Sequence, residues 1–412
     1  MPQQREIVMK RTFVVAALML TGSVMIAPAF AAPPLMQGPP SMRFGIPVLP
    51  RMSTVTHANK TPATVAVKRQ PAKAPPENFT VIDAPGAGTG ANEGTFAVFV
   101  DSTGGASGFY IDSSDNYHSY FRASDGTFTT FDVYGSDSQT IAHWANDKGT
   151  IIGDYLDTGT GQYEGFLRKA DGAIQTFDGA GTGSHYTVPV SINAKNATVG
   201  FYDDDSGLVH GFLRLKDGSI ATFEAPDAGL GSGQGTTPQD INAAGTTVGF
   251  YLDSNNVHHG FIRATDGTFV EFDVPGAGGG SFQGTEAIGI NNKGWISGEY
   301  LDSSNVWHSF VRDPAGTITS FDAPDAGDGA YQGTEAIEIN QHRAVAGYYD
   351  DGDSVYHGFE RLKNGTLIEF DVPGAGTSAG LGSFGYDINQ YYVIAGWDQD
   401  DSSVYHGFLR TP

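Results

Sequence analysis

The sequence contains no cysteine. Neither a disulfide nor a thiolate metal site can form, so stability has to come from packing and backbone pairing. Basic residues are scarce as well: 23 Lys and Arg stand against 46 Asp and Glu, a formal net charge of −23. The imbalance is steepest beyond residue 77, where 14 basic residues meet 44 acidic ones, close to −30. An acidic surface of that kind argues against nucleic acid and anionic membranes as partners and leaves cations, cationic partners and neutral sugars. Past the N-terminal region no segment is apolar enough to cross a membrane. Short catalytic signatures carry little: the one run with G-x-S-x-G spacing, Gly376–Gly380, sits in a Gly-rich crossing with no helix pattern behind it and so is no nucleophile elbow, and there is no H-E-x-x-H pair and no C-x-x-C pair.

The N-terminus reads as a secretory signal. Lys10 and Arg11 form its basic start, Thr12 to Met25 its mostly apolar stretch, and Ala29-Phe30-Ala31 a small-residue cleavage site. Residues 1–31 are therefore expected to be removed, with Met9 a plausible start, and the product to be secreted, extracellular or periplasmic. Residues 32–77 hold ten Pro, six Lys or Arg and a single acid, Glu77, with no hydrophobic period. They read as a Pro-rich disordered linker.

What fills the rest is a repeat. One arginine recurs as Arg122, Arg168, Arg214, Arg263, Arg312, Arg361 and Arg410, at steps of 46 or 49 residues. A period in this range signals a propeller, solenoid or array. Each copy divides into four runs rich in β-branched and aromatic residues, bounded by Gly, Asn and Asp. Three connections are short: the Asn-x-x-Gly turn of Asn291–Gly294, the polar turn at Asp302, and Asp-Gly pairs such as Asp266-Gly267. The fourth is longer and Gly-rich, as at Val274–Gly278. Three hairpins and one long crossing describe a blade of four antiparallel strands. The expected fold is all-β, a seven-bladed β-propeller over residues 78–412. The N-terminal strand, 79–84, is expected to close the ring with the C-terminal blade, which removes open sheet edges. The Ile-Asn strand would be innermost.

Four copies carry His-Gly-Phe: His210-Gly211-Phe212, His259-Gly260-Phe261, His357-Gly358-Phe359 and His406-Gly407-Phe408. Each follows an element such as Ile241-Asn242, Gly245, Gly249. This pattern resembles the HAF-type extracellular repeat, with Gly in place of the Ala and with Ser119 and Ser309 in two copies. The resemblance implies secretion and a repeat architecture; it implies no catalytic residue.

Several residues look chemical. Asp204, Asp253 and Asp302 end the Gly-x-Tyr-x-Asp motif, and His210, His259 and His308 open the next strand, with Arg214, Arg263 and Arg312 four residues on. A dyad or metal ligands is one reading. The other is a structural role repeated around the ring, the Arg anchoring carbonyls or carboxylates, and it is preferred because one active site needs no such multiplicity. Acidic turns at Asp203–Gly207 and Asp398–Ser402 raise Ca²⁺ as a weaker reading, against solvated turns, and no loop matches a Ca²⁺ signature. No cofactor and no metal site is assigned. Where copies differ is more informative. His143, Trp144, His185 and Tyr186 stand near the face of the long crossings. Asp240, Glu286, Glu335, Glu338 and Asp387 stand at the starts of inner strands and would form an acidic rim at the channel. These nine are the candidate ligand-binding residues.

Three functions remain open. One is a secreted, monomeric binding module whose channel-side face takes a saccharide or a cation. A second is a hydrolase or lyase using carboxylates near the channel. The third is a structural surface protein without a small ligand.

Overall fold

A computed structural model describes residues 78–135, 139–179 and 186–412. The expected signal and linker, 1–77, and His185 lie outside the described residues. Every regular element described is a β-strand, and no described helix is long and apolar enough to cross a membrane.

The same antiparallel set of four recurs along the chain. In one copy Gly284–Ile290 pairs with Ile296–Leu301, that strand with Trp307–Arg312, and that one with Ile318–Phe321. The turns between them are held by the side chains that mark them in the sequence. Asp302 Oδ1 accepts from the backbone N–H of Ser304 and Val306, at 2.7 and 2.9 Å. Asn291 Oδ1 does the same for Lys293 and Trp295. Such turns form locally because a short acceptor reaches its own backbone. At the chain ends Asn78–Ile82 pairs antiparallel with Tyr405–Thr411 in register Asn78 to Thr411.

Consecutive sets are joined in three ways. The inner strand of one meets the third strand of the set before it through a single parallel bridge, His258 to Gly284 in the copy above. Gly284 has φ +120°, and a Cβ there would overlap the His258 carbonyl, so only glycine fits. The second joint is a circuit of amides. Asn146 Nδ2 donates to the Asn193 carbonyl, and the pattern steps on through Asn242, Asn291, Asn340 and Asn389 to the carbonyl of Asp101. Asp101 has no amide to donate onward. There the Ser102 backbone N–H donates to Asp147 Oδ1 instead, at 2.8 Å.

The third joint involves the marker arginines. Arg168, Arg214, Arg263, Arg312, Arg361 and Arg410 each place the guanidinium 4.5–4.9 Å from a Phe ring of the preceding set, as Arg263 does over Phe223. The expected carboxylate anchor occurs at Arg410, which pairs with Glu360 at 3.0 Å. The expected carbonyl anchor occurs at Arg122, Arg168 and Arg312, which donate to the carbonyl of the next residue at 3.4–3.5 Å. The aromatic face suits a delocalised cation on a half-buried surface. Arg263→Leu is expected to cost about 1 kcal/mol. It would lower the melting temperature by a few degrees while Lys at an exposed control position changes nothing.

Inner strands carry one more device. Each pairs with its neighbour through a register shift, such as the one between Ala287 and Gly289. A bulge of this kind re-aims one side chain. The skipped residues His143, Val190, Gln239, Ile288, Ile337 and Tyr386 all line one cavity of about 40 Å³, between six inner strands.

A candidate ligand site at the channel mouth

The candidate residues separate into three places. His143 and Trp144 line the small cavity together with Asp240 and Glu338. His143 is buried and hydrogen-bonded through Nε2 to Asp154, the residue that stands in its copy where three others carry Phe. Trp144 packs against Phe99 and Tyr386. Tyr186 lies apart, stacked on Tyr163 with ring centroids 5.1 Å apart.

Asp240, Glu338 and Asp387 are not at strand starts, as the sequence suggested. Each is sixth of seven residues, one place beyond the bulge. Asp240 Oδ1 accepts from Ser191 Oγ at 2.6 Å and from the Ile241 N–H, while Oδ2 accepts from Ile290 N–H. Asp387 Oδ2 accepts from Val100 N–H at 2.7 Å. Both therefore tie inner strands of different sets together. Burial raises the carboxyl of Asp240, lifts Asp387 to about 7 and pushes Glu338 well above the usual carboxylate range. Burial thus shifts all three toward the protonated form.

Glu286 and Glu335 do stand near strand starts, third in Gly284–Ile290 and Gly333–Ile339. The inner strands begin on the side of the Gly-rich crossings, so both glutamates sit at that mouth. Each faces a second-strand residue across the ladder: Glu286 opposes Glu299, and Glu335 opposes Tyr348, whose hydroxyl donates to Glu335 Oε2 at 2.9 Å. His258, at the end of the preceding third strand, is hydrogen-bonded through Nδ1 to Glu286 and stacked on Phe250 at 5.1 Å. Two polar atoms are left over: His258 Nε2 and Glu299 Oε2 are buried with no hydrogen-bond partner. Two carboxyl groups directly opposed on one sheet face repel when both ionise. Burial together with Glu335 and Glu286 keeps Glu299 well above its ordinary range, and burial with Asp350 lifts Glu335 to about 8.

The equivalent pairs elsewhere are mixed: Ile141 opposes Asp154, Val188 opposes Phe201, Thr237 opposes Phe250, and two are aromatic on both sides. Phe96 stacks on Phe109 at 4.6 Å, and Phe384 on Trp397 at 5.6 Å. The stretch His258, Glu286, Glu299 and Glu335 is thus the most polar part of this layer, and the only one where two acids oppose each other among the described pairs. His258 and Glu299 escaped the sequence reading. A signal was available: they alone place His before the His-Gly-Phe motif, and Glu inside Gly-x-Tyr, where other copies carry mostly aromatic residues.

The repeated histidines do something else. His118, His210, His259, His308, His357 and His406 bond through Nδ1, at 2.5–2.9 Å, to the acid ending the outer strand: Asp132, Glu224, Asp273, Asp322, Asp371 and Asp83. The turn aspartates Asp112, Asp204, Asp253, Asp302, Asp351 and Asp400 are farther from Nε2, at 3.3–3.8 Å. Five of these rings also stack on the motif tyrosine at 4.9–5.0 Å. Each histidine thus clamps three strands of its own set. In the first acidic turn Asp204 Oδ1 is already in use, accepting from Ser206 N–H, Ser206 Oγ and Leu208 N–H, and in the second Asp400 Oδ1 accepts from Ser402 N–H and Val404 N–H. Among the described residues no group of three or more His, Asp or Glu is arranged to hold a metal ion.

Four-stranded antiparallel sets joined edge to face in this way make the chain a β-propeller. Solved structures agree with that class. The virginiamycin B lyase from Staphylococcus aureus is similar, with a TM-score of 0.51 at 14% identity over 81% of this chain and 100% of that one. A streptogramin B lyase gives 0.52 at 13% identity, over 81% and 97%. The lectin BP39L from Burkholderia pseudomallei gives 0.45 at 10%, over 76% and 94%. At these identities the likeness is one of fold. No family model matches the chain, and no curated protein matches it.

Proposed function

We propose that the protein is a secreted, monomeric, seven-bladed propeller of the HAF-repeat type. It acts as a binding module at the mouth formed by His258, Glu286, Glu299 and Glu335. The blade count rests on the arginine and asparagine series, and on the pairing of Asn78–Ile82 with Tyr405–Thr411, which completes a last set in the manner of the others. The observation that carries the function is the pair of orphaned buried atoms, His258 Nε2 and Glu299 Oε2. A buried polar group without a partner costs of the order of 1–3 kcal/mol, so its retention suits a ligand that satisfies it. Carboxyls raised toward protonation at Glu299 and Glu335 offer both donors and acceptors, and aromatic rings flank them, a combination that suits a saccharide; a cation is the other class the acidic surface favours. The test is a glycan array with a parallel Ca²⁺ titration. Retained oligosaccharide that is lost in Glu299→Leu supports the reading, whereas a blank array with no cation response overturns it.

A second reading is a hydrolase or lyase at the same mouth. It is favoured by one observation, a carboxyl lifted to about 8 at Glu335 close to the opposed pair Glu286 and Glu299. An acid poised near neutrality beside other carboxyl groups is how general acid–base chemistry is arranged. Turnover of an array-identified sugar, abolished by Glu335→Gln, would favour it over simple binding.

A further inference from the structure

A cavity of about 690 Å³ opens on the opposite side of the molecule, between the Asn193 and Asn242 hairpins. Its floor is apolar, formed by Ala197, Leu213, Leu215 and Ile241, and Lys195 and Lys216 stand at its edge. The reason for the opening is local. At the corresponding junction two sets later, Trp295 occupies the position of Ala197 and Arg343 that of Gly245, and the guanidinium lies 4.7 Å from the indole ring. Here both places are small, so nothing fills the gap. The volume falls in the range of small-molecule sites, which combine an apolar lining with a few polar anchors.

We propose that this cavity binds an amphipathic anion: an apolar chain or ring on the Leu213, Leu215 and Ile241 floor, with one anionic head toward Lys195 and Lys216. Two features support that class. Leu215 is left 46% exposed, an apolar side chain with no cover. Neither lysine has an ion-pair partner among the described residues, in a chain where acids outnumber bases two to one. Unpaired ammonium groups beside an apolar floor attract a carboxylate and not a second cation. Asp217 at the same edge brings one negative charge against two ammonium groups, and its Oδ1 is turned to the Ser219 N–H and hydroxyl at 3.0 and 2.7 Å. The site is separate from the channel mouth and does not depend on the function proposed there.

The probe is sodium decanoate, titrated calorimetrically below its micelle concentration into the whole chain, with decanol as the neutral counterpart. Decanoate is expected to bind the unaltered protein. Ala197→Trp, which copies the filling seen at Trp295, should abolish binding. Lys195→Glu with Lys216→Glu, which leaves the floor intact, should weaken decanoate at least ten-fold and decanol little. Matching melting curves establish that each variant is folded, and the charge variant decides the matter should Ala197→Trp fail to fold. No binding to the unaltered protein, unchanged binding in the filled variant, or equal decanoate affinity after charge reversal would each overturn the proposal.

Discussion

Deleting residues 1–83 should lower the melting temperature by roughly 10 °C and cause self-association, while deleting 1–77 alone should change neither. The difference lies in the short strand Asn78–Ile82 and what it covers. Ile82 is 1% exposed, and Phe79 packs on Phe370 and Phe408 with centroids 6.0 and 5.9 Å apart. Burying two such side chains contributes on the order of 4 kcal/mol. The deleted stretch also supplies Asp83, the partner of His406 at 2.8 Å. Without it the strand Tyr405–Thr411 presents an open edge to solvent, a template for pairing with a second chain. Circular dichroism melts and size-exclusion chromatography on the two truncations read this directly. An unchanged melt and a monomer after loss of 78–83 would mean that the strand is an accessory and the ring is held elsewhere.

The second large effect is on pH. Stability is expected to peak in mildly acidic solution and to fall as pH rises toward 8. Burial lifts Glu335 to about 8 and Asp350, Asp387 and Asp398 to about 7, and it drives Glu299 and Glu338 well above their ordinary range. In the unfolded chain these groups titrate near 4. Between about pH 4 and 8 the folded chain therefore holds protons that the unfolded chain has released, and stability declines with rising pH across that window. The histidines act in the same direction. Hydrogen bonds to Asp273, Asp322 and Asp371 raise His259, His308 and His357, so their contribution is complete below about 6.5 and fades as pH climbs through the raised values. At the acid end the slope reverses. The Ser206 hydroxyl and turn amides hold Asp204 below its ordinary range, a contribution lost as pH falls. Glu299→Gln should stabilise the protein by on the order of 2 kcal/mol at pH 8 and little at pH 5. Chemical denaturation at both pH values checks this. Equal stability of the two proteins at pH 8 would show that Glu299 is not the strained group described here.

The architecture was more legible than the site. Turn residues and apolar runs bracket the strands closely: the turns read at Asn291–Gly294 and Asp302 enclose the strand found at Ile296–Leu301. The copies could be aligned because each blade needs the same Gly, Asn and Asp at the same turns. The bulge was not legible. One skipped residue leaves the apolar pattern of an inner strand intact but decides that Ile288 and Tyr386 look into the channel, whereas the place of Asp240, Glu338 and Asp387 at strand ends follows from their position just before the Ile-Asn turn. Partners distant in sequence were missed for a related reason. The outer-strand acid lies fourteen residues after its histidine in five copies, a constant spacing visible in the sequence, but the turn aspartate is nearer along the chain and drew the attention. The upward shift of the buried acids follows from their surroundings and from no motif.

The proposed site contributes to that cost. Opposed acids and an unsatisfied histidine nitrogen weaken the fold where they stand, as binding sites commonly do. The most direct measurement is a thermal-shift screen of oligosaccharides and Ca²⁺ on the unaltered protein and on the double variant Glu286→Gln, Glu335→Gln. The account predicts at least one ligand that raises the melting temperature of the unaltered protein by several degrees and leaves the variant unmoved. A screen without any shift, or a shift of equal size in both proteins, would contradict it.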